Sequence, residues 1–445
     1  MQQILKTLDD GSIVEAYVML SQPGKVGINF ADSSSLDSFG RLRVSTPTTI
    51  FDSQQEYGLD TLRIWDCSAN GTAATASSDG SATSGSNAVG PRNATTRLTP
   101  ITVSTTSGHY SILQSRQYVR YIPAKSHLVF MTGVFASGSG YSANISIRSS
   151  ASGDVVDNTI AQTDWNIDKF DGAGPSKAVL DLTKTQILFI QAQWLGVGRV
   201  IVGFDIDGQL YPAHAFNNAN LLTVPYTQSF NLPVRLEIRN SSSSSSIARV
   251  GYFDANNGVF LSTSREVAGG TISFCCCSVQ SEGGTDVRGF PNSSPAGIST
   301  IAVTTRRPIL SIRPKATYNS LVNRAHIKDL EYITRTTGND SLIEIIIGGT
   351  LTGASFQSVS ANSCAEYDVS ATAISGGESI VKAFSTAGAG ASSVQSGGGV
   401  DIRSPLVLSK IDSLAENQIP ITIVATSFSG TSNVTSLMNW HEQII

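Results

Sequence analysis

Apolar and polar positions alternate in short runs along most of the chain, the period-two signature of half-buried strands. Tyr141 to Ile147 alternates cleanly, and His127 to Phe135, Thr185 to Trp194 and Gly198 to Phe204 read as longer strands. Asp207-Gly208 supplies a tight turn before Gln209 to Tyr211, and Asn257-Gly258 a second one between Val250 to Phe253 and Val259 to Leu261. The pattern resumes in Ile298 to Val303, Ile309 to Ile312, Leu342 to Ile347, Ile380 to Phe384 and Ile419 to Val424. Only Ser413 to Asn417 suggests a helical turn. Regular short strands with such turns predict an all-β fold: two β-sandwich domains, jelly-roll or immunoglobulin-like, with an extended N-terminal arm.

The runs also divide the chain. Residues 1–60 mix polar turns with short extended pieces and offer too few apolar positions for a core, so they read as an extended docking arm. Residues 61–97 form a Ser/Gly/Ala-rich loop region, and 98–285 a first β-sandwich. A Gly- and Pro-bearing linker at 286–297 leads to a C-terminal β-sandwich at 298–445. The six serines at 241–246 read as a flexible loop tip.

Composition sharpens this picture. Among 445 residues there are 63 Ser, 39 Thr and 40 Gly, which argues against a helical enzyme. Charged residues make up 14% and the net charge is −4, so neither nucleic acid nor an anionic membrane is an expected partner. No apolar run reaches the roughly 18–20 residues of a membrane span, and no targeting segment is visible. Five cysteines, an odd number, favour reduced thiols made in a cytoplasm. Strand alternation should send Cys275, Cys276 and Cys277 to opposite faces, so the run is not expected to form one metal cage.

Candidate chemistry is sparse. Asp164, Asp168 and Asp171 lie within nine residues, but their spacing fails the EF-hand pattern and suits a polar loop with an Asp-Gly turn. Asp205 and Asp207 flank a hairpin where aspartate is favoured in any case; with Asp164 and Asp168 they are the candidates for a carboxylate pair in a glycan-degrading enzyme. Gly196, Gly198 and Gly203 do not match a dinucleotide fingerprint, and the histidines at 109, 127, 214, 326 and 441 lack metal-ligand spacing. No nucleophile elbow is present. Trp165, Trp194 and Tyr211, with Phe216, are candidates for a glycan-stacking platform, against the blander reading that aromatics in a β domain fill its core. The expectation is therefore no catalytic residue, no cofactor and no metal.

Several longer segments carry a resemblance. Ser38-Phe-Gly-Arg-Leu-Arg-Val-Ser45, Ile50-Phe-Asp-Ser-Gln-Gln55, Asp164-Trp-Asn-Ile-Asp-Lys-Phe-Asp-Gly-Ala-Gly-Pro175 and Gln193-Trp-Leu-Gly-Val-Gly-Arg199 are four of them. Asn217-Asn-Ala-Asn220, Asn231-Leu-Pro-Val-Arg-Leu-Glu-Ile238, Arg249-Val-Gly-Tyr-Phe-Asp-Ala-Asn-Asn-Gly-Val-Phe260 and Ser281-Glu-Gly-Gly284 are the others. Over roughly residues 35–300 the chain resembles a family of virion structural proteins of tailed bacteriophages. One segment departs from that family's order: Arg249 to Asp254 follows the Asp164 segment here rather than preceding it.

The resemblance implies a particle component of the tail, neck or capsid surface, made in the host cytoplasm and carried in the virion. Its expected partners are copies of itself, a trimer among the options, and other virion proteins. Phe39, Arg41, Arg43 and Phe51 are the candidate contacts of the docking arm. The rival reading is a receptor-binding fibre or adhesin that holds a host surface glycan.

Overall fold

A computed structural model describes residues 48–61, 64–69, 88–90, 92–149, 155–282, 289–295, 300–387 and 418–443, together with the backbone strands at 2–7, 13–20, 26–28, 72–73 and 396–400. These residues are all-β, with antiparallel sheets packed as sandwiches and no α-helix among them; one short 3-10 turn spans Gln162–Asp164.

The first unit has fourteen main strands: β1 (Thr48–Gln54), β2 (Trp65–Ala69), β3 (Thr99–Val103), β4 (Tyr110–Ser115), β5 (His127–Val134), β6 (Tyr141–Ser149) and β7 (Val156–Ala161) in its first half. Its second half adds β8 (Thr185–Ala192), β9 (Val200–Ile206), β10 (Gln209–Phe216), β11 (Val234–Ser242), β12 (Ser245–Phe253), β13 (Gly258–Arg265) and β14 (Gly270–Ser281). One sheet runs β10-β9-β8-β5-β14-β3, with β1 also on β14; the other runs β7-β6-β13-β12-β11-β4-β2. Alternate side chains of both sheets meet in one core, including Met131, Leu188, Val202 and Phe274 from the first and Ile145, Leu236, Val250 and Leu261 from the second.

The second unit is smaller. Its strands are β15 (Arg307–Pro314), β16 (His326–Thr337), β17 (Ser341–Ile347), β18 (Glu378–Ser385), β19 (Ile421–Ser427) and β20 (Ser432–Gln443), with shorter strands beside them. The β15-β19-β17-β18 sheet faces the β16-β20 sheet across a separate core that includes Ile312, Ile327, Ile345, Ile423, Met438 and Trp440.

The two sequence-read hairpins are present. Asp207 (φ 55°) and Gly208 (φ 84°) form the two-residue turn between β9 and β10, where both positions need the left-handed region. Asn257 closes the β12–β13 turn with its N–H donating to Asp254 Oδ1 at 2.7 Å. The six serines do not form a loop tip: Ser242 pairs with Ser245, so four of them belong to the strands of a tight hairpin.

Other boundaries shift. Phe51, expected in the docking arm, sits on β1 in the first core, because β1 finds a partner in β14 from Thr48 onward. The backbone at 2–7, 13–20 and 26–28 forms a three-stranded antiparallel sheet rather than one extended arm. Phe39, Arg41 and Arg43 lie outside the described residues, as does the Ser413 to Asn417 segment. The predicted loop at 61–97 contains β2, whose Trp65 is fully buried. Part of the predicted linker, Phe290–Ser293, pairs with β20 as a strand of the second unit.

The abundant hydroxyls have a structural use. Ser311 and Thr422 face each other across β15 and β19 with oxygens 2.9 Å apart, and Thr334 with Ser436 does the same at 3.0 Å. Thr102–Thr271 and Ser146–Thr159 repeat the arrangement at 2.9 Å. In each of these pairs the two hydroxyls satisfy one another, so these residues enter the sheets without an unpaired polar group.

Candidate functional site

The acid-rich loop is an internal clasp. Residues 162–184 cross from β7 of one sheet to β10 and β9 of the other. Asn166 exchanges two hydrogen bonds with Ala215 at 2.9 Å, and the N–H groups of Ile167 and Asp168 reach the Ala213 carbonyl. Asp168 is buried; its Oδ1 accepts from the Phe170 N–H at 2.8 Å and its Oδ2 from Ser176 at 2.7 Å. Burial alone would raise its pKa, but those N–H donors outweigh it and hold the carboxyl below the usual range. Both oxygens are therefore committed to shaping the loop.

Asp205 is committed in the same way, whereas Asp164 and Asp207 are exposed. Asp205 Oδ1 accepts from the Gly208 N–H at 2.8 Å, which closes the hairpin. Asp164 ends the short 3-10 turn.

The aromatic candidates do not come together as a platform. Trp165 is 2% exposed, packs against Phe170 and Phe204, and donates its indole N–H to the Ile160 carbonyl at 3.3 Å. Burial of that ring is what joins the crossing loop to the core, so it offers no face to a sugar. Phe216 is buried against His214. Trp194 is half-buried and meets the Tyr121 ring edge-on at 5.6 Å; Tyr211 is half-buried and donates its hydroxyl to Gln209.

A charged cluster escaped the sequence reading. Arg235, Glu237 and Arg239 alternate along β11 and Arg249 faces Glu237 from β12. Glu237 lies 2.6 Å from Arg235 and 2.7 Å from Arg249, and both Glu237 and Arg235 are 1% exposed. Burial raises the Glu237 pKa, yet Arg235, Arg239, Arg249 and Arg148 overcome it and hold the carboxyl well below its ordinary value. The signal was the polar i, i+2, i+4 series within an otherwise apolar strand.

Two shallow grooves lie on the second unit. One, of about 350 Å³, is lined by Arg313, Phe356, Glu366 and Gln418; the Arg313 guanidinium lies 3.7 Å over the Phe356 ring and 2.6 Å from Glu366. The other, of about 480 Å³, is lined by Asp329, Glu331, Asn439 and His441. There the His441 Nδ1 stands 3.7 Å from Asp329, too far for a hydrogen bond. Strand register and a bulge after Lys328 bring Asp329 beside His441, a juxtaposition that linear spacing hides.

At the end of the first unit where β8 and β10 finish, two loops interlock. The Asn218 amide donates to the Gly198 carbonyl at 2.9 Å, and the Tyr226 N–H to Gly196 at 2.9 Å. These loops expose Leu195 (51%), Leu221 (74%), Leu222 (42%) and Val224 (58%). One pair of joined loops thus carries four exposed apolar side chains.

No family model and no curated protein matches the chain. Among solved structures it is matched to one titled "Structure of infectious bursal disease virus Gx strain", with 11% identity over 87% of this chain and 74% of that one. The TM-score is 0.16, and the likeness carries no argument.

Proposed function

We propose that this protein is a non-enzymatic structural component of a tailed-phage virion, located on the tail, neck or capsid surface, that assembles as a homo-oligomer. The observation that carries the proposal is the exposed apolar surface of Leu195, Leu221, Leu222 and Val224 on the interlocked loops. Two of the segments that resemble the phage family, Gln193 to Arg199 and Asn217 to Asn220, supply Leu195 and the Asn218–Gly198 hydrogen bond of these loops, and a third, Asp164 to Pro175, is hydrogen-bonded to the strand that leads into them. Those segments thus act together as structure. Asp168 and Asp205 are engaged in turns, Glu237 in buried ion pairs, and Ser311 with Thr422 in a cross-strand pair.

A second copy of the chain is the partner for the apolar loops, and residues 1–47 form the part that docks on other virion proteins. Light scattering on the full chain tests the first claim. A discrete oligomer that falls to a monomer in the L221D/V224D double variant is expected. A monomeric native chain, or an oligomer unmoved by those changes, would overturn it.

A further inference from the structure

Three consecutive cysteines on a regular strand would send Cys275 and Cys277 to one face and Cys276 to the other. The pairing of β5 with β14 breaks that alternation. Thr132 faces Cys276 while the next residue, Gly133, faces Phe274, so Cys275 is the extra residue of a β-bulge. On its other side β14 changes partner at the same point: it pairs with β3 through Phe274 and with β1 from Cys276 onward. The Gln55 N–H spans the junction to the Cys275 carbonyl at 3.3 Å.

Burial records the consequence. Phe274 and Cys277 are core residues, whereas Cys275 and Cys276 are both half-exposed. The bulge has turned two adjacent cysteines to the same outer face of the sheet, contrary to the simple alternation expected for them. The Cys276 side chain is close enough to act on the Cys275 thiol. Cys67, Cys277 and Cys364 are buried elsewhere.

We infer that Cys275 and Cys276 form a two-thiolate binding site for a soft, thiophilic ion, with Cu(I) as the biological metal of that class. Thiolate sulfur selects such ions over harder cations. Among the described residues no group of three or more His, Cys, Asp and Glu is placed to hold a metal, so the tetrahedral set that structural zinc needs is missing here. Binding forms two Cu–S bonds and releases both thiol protons to solvent, with no change in oxidation state. The product carries one net negative charge, which the nearby Arg92 guanidinium favours.

The test is anaerobic titration of the full-length protein with Cu(I), supplied as its acetonitrile complex and competed with a chromophoric Cu(I) chelator. The native chain and C277A should each retain one copper against the chelator. C275S and C276S should each lose it, with affinity reduced at least tenfold; circular dichroism checks that each variant is folded, and either one suffices. Complete transfer of copper from the native chain to the chelator, or equal retention by C275S and C276S, would overturn the assignment.

Discussion

The Nε2–H of His326 donates to the main-chain carbonyl oxygen of Tyr118 at 2.7 Å, a hydrogen bond between the second unit and the first. Two residues earlier, Arg324 forms an ion pair with Asp254 and lies 5.5 Å over the Tyr118 ring. His326 and Tyr118 are both buried, so this junction is a dry contact with a specific polar core. Removing the imidazole takes this donor away from the Tyr118 carbonyl. His326→Ala should destabilise the protein by about 1–3 kcal/mol, read as a lower urea midpoint.

The same residue makes stability depend on pH. Burial, helped by Arg120 and Lys328, holds the His326 pKa down to about 4, and burial does the same to His127. The unfolded chain therefore binds more protons than the folded one between about pH 6.5 and 4. Stability is flat above that window and falls as pH drops through it, by up to about 1.4 kcal/mol per pH unit for each histidine. Denaturation midpoints between pH 7 and 4.5 should show the slope, and His326→Gln should remove about half of it. A native slope unchanged in that variant would rule out His326 as a source.

Glu237 should be far more sensitive than an exposed ion-pair residue. Replacing it with Gln leaves Arg235 and Arg249 without their carboxylate in a buried setting, a loss of about 3–5 kcal/mol. Lys382, 61% exposed and 3.5 Å from Glu344, should cost no more than about 1 kcal/mol when changed to Ala. Chemical denaturation of the two variants separates these outcomes.

Two glycines should fail for different reasons. A Cβ on Gly198 would lie 1.6 Å from the Gln193 carbonyl oxygen, and the backbone there has no room to yield, so Gly198→Ala should disrupt the apolar loop pair. Gly208 has open space but a φ of +84°, so Gly208→Ala should cost only about 1–2 kcal/mol. Thermal unfolding read beside light scattering should show Gly198→Ala lowering both stability and association, and Gly208→Ala lowering stability alone.

Trp165 separates the scaffold from the glycan reading. Its ring fills the core beneath the crossing loop, so Trp165→Ala should cost about 3–5 kcal/mol by chemical denaturation. Binding to a glycan panel that is lost in this variant while its stability is unchanged would contradict that account.

Strand periodicity and turn chemistry were legible because each is local. Asp207-Gly208 needs only its own backbone to announce a hairpin, and the structure has it. Phe51, Trp65 and Phe290–Ser293 are not legible locally, because each is placed by a partner strand that lies far along the chain. The serines at 241–246 misled for the opposite reason: their composition suggests a loop, yet β11 and β12 run through them to Ser242 and Ser245. The candidate aromatics were visible as residues, but only the fold shows Trp165 inward and Leu195, Leu221 and Val224 outward. The same limit hid the cysteine pair, since a bulge is a property of register rather than of sequence.

The central claim is that this chain is built into a phage particle, and immunogold labelling of purified particles with an antibody to the chain tests it most directly. The account predicts regular labelling of one location, on tail, neck or capsid surface, retained through gradient purification. Particles that carry no label, with the chain recovered only in the unassembled fraction, would contradict it.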